Sequence, residues 1–542
     1  MNQQELIFSA LKETHMHVIG SSGYGKSKFL EWLLRWRIRE SKGFALIDWH
    51  GTLYNEVLEY LAYIEPSKKV YLLDPSREDY VVGFNPFVQK GRDISALVSR
   101  RIDSTIKPFG ALDTDLTTQL AETLRMIYAF AAETGEPIHN AELMLFGRHR
   151  AVRKYAIANV KAFHIGEQLA ELADLSDHQL RVQVSSARRR LERFLFLDVV
   201  QRMIARTTDN LIIKDILEEG AILLVNLSGI PPEAAKLIGA LLFNEFREAA
   251  IGRAGTKRRY VLMLDEFQEY ITHDLAGMLN EVRKGGLSLV LSHQHLAQLG
   301  KDETLIASVQ TNARLKFVFG GLDHDTACTV AKEIRLPSIV ARQVERQFIT
   351  PTVVGHRIEK LVNMGYSKGA GQSSNWQDAI SETLNERDEA ARKTHTHTAS
   401  FGGTSTDSET ESQTETRLLV PILEDMVHSE QARDLATKIA IEAQKITALK
   451  KRQVYIKFPE EPQGIRFTTP WLKSFKLSSV HTQAYARKTL IEQGALPPEE
   501  IDALIKKSRE DFLAKVNEGN PPPESDDHAP RKRFHPSNPP RT

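Results

Sequence analysis

The run Gly20-Ser21-Ser22-Gly23-Tyr24-Gly25-Lys26-Ser27 constrains this chain more than any other feature. It fits G-x-x-x-x-G-K-[ST], a turn whose backbone N–H groups must converge on phosphate oxygens. Convergence needs glycine wherever a Cβ would block the turn. Lys26 is then expected to reach the β- and γ-phosphates of a nucleotide, and the Ser27 hydroxyl to ligate Mg²⁺. The motif requires a strand before it and a helix after it, and the sequence supplies both. Residues 16–19 are mostly apolar, while Phe29, Leu33, Leu34 and Trp36 share one side of the following helix. That helix would present its N-terminus to the phosphates.

The flanking sequence reads as alternating strands and helices. Residues 44–47 form a buried-strand run closed by Asp48, and residues 70–73 another, closed by Asp74-Pro75. This is the rhythm of a parallel sheet. It gives way to helical spacing, with Leu116, Leu120, Leu124 and Tyr128 four residues apart, and returns at 221–227, 260–264, 287–292 and 315–319. The expected fold class is therefore α/β, a P-loop NTPase (RecA-like) central sheet interrupted by an all-helical insertion. The core would occupy 1–88 and 209–366, with the helical domain at 89–208. Residues 367–417 are rich in Ser, Thr, Gly, Gln and Glu and are expected to be a disordered insertion. A strand pair at 453–458 and 464–468 and two helices between 480 and 516 are expected within 418–518. The tail 519–542, with seven prolines, is expected to be disordered.

At 542 residues the chain is too long for one ordinary core. Its 41% hydrophobic and 26% charged residues suit a soluble globular protein, and a net charge of +1 confines any basic surface to a local patch. The single cysteine, Cys328, excludes an internal disulfide and is expected to be a small packed residue. The most apolar stretch, residues 221–243, is broken by Pro231, Pro232, Glu233 and Lys236, so no spanning helix is expected. No signal peptide is visible either.

Val261-Leu262-Met263-Leu264-Asp265-Glu266 supplies the second half of a nucleotide site. Four apolar residues make a central strand, and two carboxylates stand at its C-terminal end, where open α/β sheets bind ligands. Asp265 is expected to hold Mg²⁺ through water, and Glu266 to polarise the attacking water. The strand at 287–292 ends in His293-Gln294, a polar tip able to contact the γ-phosphate.

The segments HMHVIGSSGYGKS, ALIDWHG, VYLLDPSREDYVVGFNPF, ILEEGAILLVNLSG, YVLMLDEFQEY and EVRKGGLSLVLSHQHLAQL, followed by TNARLKFVFG, occur in one order. In that order they resemble the HerA/FtsK superfamily of DNA-pumping ATPases, and within it the TraG/TraD-like coupling proteins of conjugation and type IV secretion. The resemblance spans roughly residues 10–350 and, more loosely, 418–475. It implies ATP and Mg²⁺, a hexameric ring with ATP at subunit interfaces, and DNA as partner, with secretion or relaxosome proteins besides. It also implies that Gln294 is a sensor, that Asp48 lies near the nucleotide, and that Arg283 and Arg314 act near the γ-phosphate. Trp49 stands where the family usually has proline, which loosens the Asp48 assignment. Membrane-anchored coupling proteins begin with transmembrane helices, whereas the P-loop here starts at Gly20. A cytoplasmic protein is therefore expected, recruited to the inner face of the membrane only through partners.

Other signals carry less. Arg188-Arg189-Arg190 and Arg193 are expected on a solvated helix face, and Lys257-Arg258-Arg259 at the surface before the Asp265 strand. His395 and His397 fall in the polar tract, without fixed partners for a metal. Three functions share the expected chemistry: a DNA translocase of the coupling-protein type, a HerA-like helicase in repair or defence, and a protein-secretion ATPase without DNA contact.

Overall fold

The computed structural model describes residues 3–87, 94–106, 114–208, 211–253, 255, 258–269, 275–299, 303–340, 344–365, 374–382, 393–401, 412–432, 434–473 and 477–518. They form two compact units, one from the described residues of 1–339 and 439–518 and one from those of 340–438. Among the described residues, thirteen strands follow in chain order. They are β1 (Met16–Ile19), β2 (Phe44–Asp48), β3 (Val70–Leu73), β4 (Ile222–Asn226), β5 (Tyr260–Leu264), β6 (Leu287–His293) and β7 (Leu315–Phe319), then β8 (Val344–Gly365), β9 (Ser374–Glu382), β10 (Lys393–Phe401), β11 (Ser412–Ala432), β12 (Gln453–Lys457) and β13 (Ile465–Thr468).

The first unit is built on a nine-stranded sheet in the order β13-β12-β7-β1-β6-β5-β2-β4-β3. From β7 to β3 every pairing is parallel, and β12 and β13 then add antiparallel to the β7 edge. Every residue of β1, β2, β4, β5, β6 and β7 is buried, because helices cover both faces of a parallel sheet. That explains the uninterrupted apolar runs in the sequence. The helix Lys26–Arg39 buries Phe29, Leu30, Leu33 and Leu34, and Phe29 meets the Phe317 ring at 4.5 Å. Because the strands are parallel, their carboxyl ends share one edge. The P-loop, Asp48, Asp265 and His293 all emerge there.

Helices fill the described residues between Ile94 and Ala205. They belong to the same compact unit as the sheet. The buried Arg101 guanidinium pairs with the buried Glu245 carboxylate on the helix Pro232–Ile251 and donates to the Pro86 carbonyl at 2.9 Å. Phe512, on the C-terminal helix Pro498–Glu518, packs edge-on against Tyr155 at 5.8 Å. Among the described residues, no helix is long and apolar enough to cross a membrane.

The second unit is a four-stranded antiparallel sheet in the order β10-β9-β8-β11. Here the structure departs from the disorder expected of 367–417. Residues 374–382, 393–401 and 412–417 stand in strands. Composition measures how much apolar surface a segment can bury. An antiparallel ladder satisfies backbone N–H and C=O groups whatever the side chains, and threonine favours the extended chain. The alternating threonines of β10, Thr394, Thr396 and Thr398, pair with Ser381, Ala379 and Gln377 of β9. The rest of 367–417, and the tail 519–542, lie outside the described residues.

Candidate active site

The P-loop leaves β1 at Gly20 and enters the helix Lys26–Arg39 at Gly25, whose φ of 107° is open to glycine and strained for any other residue. Its outer wall is the end of β7. Ser21 N–H donates to the Gly320 carbonyl at 3.2 Å, and the Tyr24 ring packs close to Gly320 and Gly321. A Cβ on Gly321, itself at φ 74°, would fall 2.3 Å from Tyr24 Cε2. Tyr24 thus turns away from the cleft, and its carbonyl accepts the Arg452 N–H at 3.0 Å, just ahead of β12. Lys26 Nζ bonds the Gly20 carbonyl.

Opposite the P-loop stand the tips of β5 and β6. Ser21, Ser22, Gly23, Gly25, Lys26, Ser27, Lys28, His50, Asp265, Glu266 and Gln294 line one cleft of about 280 Å³. Asp265 Oδ1 accepts from Ser292 Oγ at 3.0 Å. Burial, with Asp48 and Glu266 nearby, pushes the Asp265 carboxyl up to about 6, against the opposing pull of Ser292 and Lys26. Glu266 has φ 49°, a left-handed conformation uncommon outside glycine, and such strain clusters at functional sites. Both its oxygens are engaged, Oε1 by Gln294 Nε2 at 2.8 Å and Oε2 by Gln268 Nε2 at 2.7 Å. Burial draws the Lys26 amine down, and Glu266 and Asp265 offset part of that.

Gly20, Ser21, Ser22, Gly23, Gly25, Lys26, Ser27, Asp265, Glu266 and Gln294 are thus gathered around one cleft or its immediate backbone. Asp48 stands behind it rather than in it. Fully buried, its carboxylate accepts from His50 N–H at 3.0 Å and Tyr54 N–H at 2.7 Å, fixing the turn into the helix Thr52–Ile64. Burial raises its pKa against those bonds. Arg283 and Arg314 are not brought to the cleft of their own chain. Arg283 ends the helix Leu275–Lys284 before β6 and donates to the Glu13 carbonyl at 2.9 Å, and Arg314 immediately precedes β7. Both therefore occupy the amino edge of the sheet, the edge opposite the P-loop.

Three features escape the motifs. His50 lines the cleft from the turn after β2, and Gln268 steadies Glu266 from the turn after β5. Beneath the cleft, His17 on β1 and His293 on β6 meet Nε2 to Nε2 at 2.6 Å, with stacked rings 4.9 Å apart. His293 Nδ1 lies 3.0 Å from the His295 carbonyl and must carry the proton there, so its Nε2 accepts from His17. Burial holds His17 well below the usual histidine range and His293 down at about 3, so both are neutral.

The Ser27 hydroxyl and the Asp265 carboxylate are hard oxygen donors facing one cleft, a set that fits Mg²⁺ shared with phosphate and water. Among the described residues, no group of three or more His, Cys, Asp or Glu is placed to hold a metal ion.

Residues 6–246 match the family described as the central domain of the helicase HerA. No curated protein matches the chain in sequence. Among solved structures, the plasmid coupling protein TrwB in complex with ADP and Mg²⁺ superposes with a TM-score of 0.50 at 14% identity, over 88% of each chain. The unbound bacterial conjugative coupling protein TrwBdeltaN70 gives 0.48 at 14% identity, over 86% of each chain. VirB4 of Thermoanaerobacter pseudethanolicus gives 0.35 at 13% identity, over 59% of this chain and 80% of its own. The α/β P-loop fold is shared with TrwB.

Proposed function

We propose, for a chain whose P-loop core is of the HerA/FtsK type, an ATP-driven ring motor of the conjugation and type IV secretion kind that moves DNA or a protein–DNA complex. The observation that carries this reading is the convergence of Lys26, Ser27, Asp265, Glu266 and Gln294 on one cleft. Lys26 and the P-loop amides hold the triphosphate. Ser27 and Asp265 would hold Mg²⁺, whose charge would offset that of the phosphates. Glu266 takes up proton density from the attacking water, with its two oxygens aimed by Gln294 and Gln268.

Transition-state charge on the γ-phosphate also calls for a mobile cation. Arg283 and Arg314 stand away from their own cleft, which supports a reading in which one of them serves a neighbour's cleft in a hexamer. Pore loops would then drag the phosphate backbone without reading bases. Partners would include relaxosome or secretion proteins, and any membrane association would run through them.

ATP hydrolysis by the purified full chain, with and without DNA, tests the reading. DNA is expected to raise turnover severalfold. ATPase activity indifferent to DNA would move the chain to the protein-secretion reading, and no ATPase under any condition would overturn the motor.

A further inference from the structure

Resting on the nucleotide-binding reading of the cleft, we propose that Trp471, backed by Arg452, is the platform on which the purine base stacks. The sheet order sets the direction. Glu266 and Gln294 mark where the γ-phosphate ends, on the β6 and β5 side of the P-loop. The nucleoside must then leave on the other side of β1, towards β7 and β12.

On that side the chain places a large aromatic surface. β12 begins and β13 ends at the P-loop edge of the sheet, since Gln453 pairs with Thr468 and Val454 with Phe319. Arg452 N–H holds the Tyr24 carbonyl at 3.0 Å, inside the P-loop itself. Its guanidinium bonds the Thr469 carbonyl and lies 4.1 Å from the centre of the Trp471 ring. Arg452 takes φ 70°, a second strained residue beside the cleft. The Lys473 carbonyl accepts from Arg35 Nη1 at 2.8 Å, tying the Trp471 segment to the helix that follows the P-loop.

Trp471 is nevertheless 82% exposed. One ring face carries the guanidinium and the other is open, a costly display for an indole unless a ligand covers it. A base on the open face would complete a three-layer stack of purine, indole and guanidinium. Stacking uses the π-face and no hydrogen-bond code, so adenine and guanine should be held about equally.

The test uses the full chain with Mg²⁺ and measures calorimetric affinity for ADP, GDP and pyrophosphate. Trp471→Ala is expected to weaken ADP and GDP about tenfold and leave pyrophosphate within a factor of two, while Trp471→Phe keeps most of the affinity. Unchanged ADP affinity in Trp471→Ala, or an equal fall in ADP and pyrophosphate, would overturn the platform. So would a wild-type protein that binds pyrophosphate as tightly as ADP. Wild-type protein that binds none of the three would instead overturn the nucleotide reading of the cleft, and the platform with it. A change in oligomeric state with ADP affinity unaltered would make Trp471 a subunit contact and overturn its assignment to the base.

Discussion

Gln294 Nε2 donates to Glu266 Oε1 across 2.8 Å, joining the tips of β6 and β5 directly opposite the P-loop. β6 lies between the P-loop strand and the carboxylate strand, so on the proposed mechanism Gln294 would reach both the γ-phosphate and Glu266. Gln294→Ala is expected to lower kcat roughly 10- to 100-fold with little change in nucleotide affinity, since it aims the base rather than holding the phosphates. Glu266→Gln should keep ATP bound and lower hydrolysis by more than about 100-fold, whereas Lys26→Ala should lose both. Single-turnover hydrolysis beside equilibrium ADP binding checks all three. Wild-type turnover in Glu266→Gln would remove Glu266 from its role.

Complementation addresses the arginines. If Arg283 or Arg314 acts across an interface, Arg314→Ala subunits mixed with Lys26→Ala subunits should recover activity that neither has alone. Activity per subunit should also rise with protein concentration. Full turnover by a sedimenting monomer with ATP and DNA bound would refute the ring.

The placement of the P-loop, Asp265, Glu266 and Gln294 around one cleft was legible because each position is local, either a short turn or the tip of one strand. Arg283 and Arg314 show where a motif falls short. Their identities fit the resemblance, but each precedes a parallel strand whose carboxyl end bears the cleft, and that order places them at the other edge, away from the cleft of their own chain. His17 and His293 could not be paired from sequence, because nothing local says that β1 and β6 are neighbours. Asp48 matched by position, yet its oxygens serve the backbone of the next turn. The β9–β11 strands were hidden for a different reason. Backbone pairing leaves no mark on composition.

Arg101 and Glu245 offer a test of packing. Glu245→Ala would strip a carboxylate from a guanidinium that is 1% exposed, and leaving such a charge behind costs about 3–5 kcal/mol. Urea unfolding should show that loss. Arg101→Met combined with Glu245→Leu should recover a large part of it, because no buried charge then remains.

Stability should fall on acidification below about pH 6.5. Burial holds His15 and His139 down at about 4 and His293 at about 3, against an ordinary value of 6.5. Between those values the unfolded chain binds protons that the native chain refuses, so each group removes about 1.4 kcal/mol per pH unit as pH drops. Asp265 works the other way. Raised to about 6, it is protonated in the native chain over a range where the unfolded chain is not, and so favours the fold as pH falls. Glu142, raised to about 7, acts in the same sense, and Asp48 and Glu56 are raised as well, but His17 and His149 are lowered with the other three, and the histidines outweigh the acids at pH 5. Thermal unfolding at pH 7 and pH 5 should show a clear decrease, with a shallower slope in His293→Gln. A melting temperature that holds or climbs at pH 5 would contradict the assignment.

The bond from Arg452 N–H to the Tyr24 carbonyl has a consequence for how the protein comes into being. The phosphate turn at residues 20–27 is translated long before its outer brace at Arg452. While the ribosome is still reading between them, the nascent chain holds a motif with one wall missing. A chain truncated before β12 should keep the P-loop sequence and hold nucleotide poorly. Premature termination would then yield fragments that neither consume ATP nor compete for it.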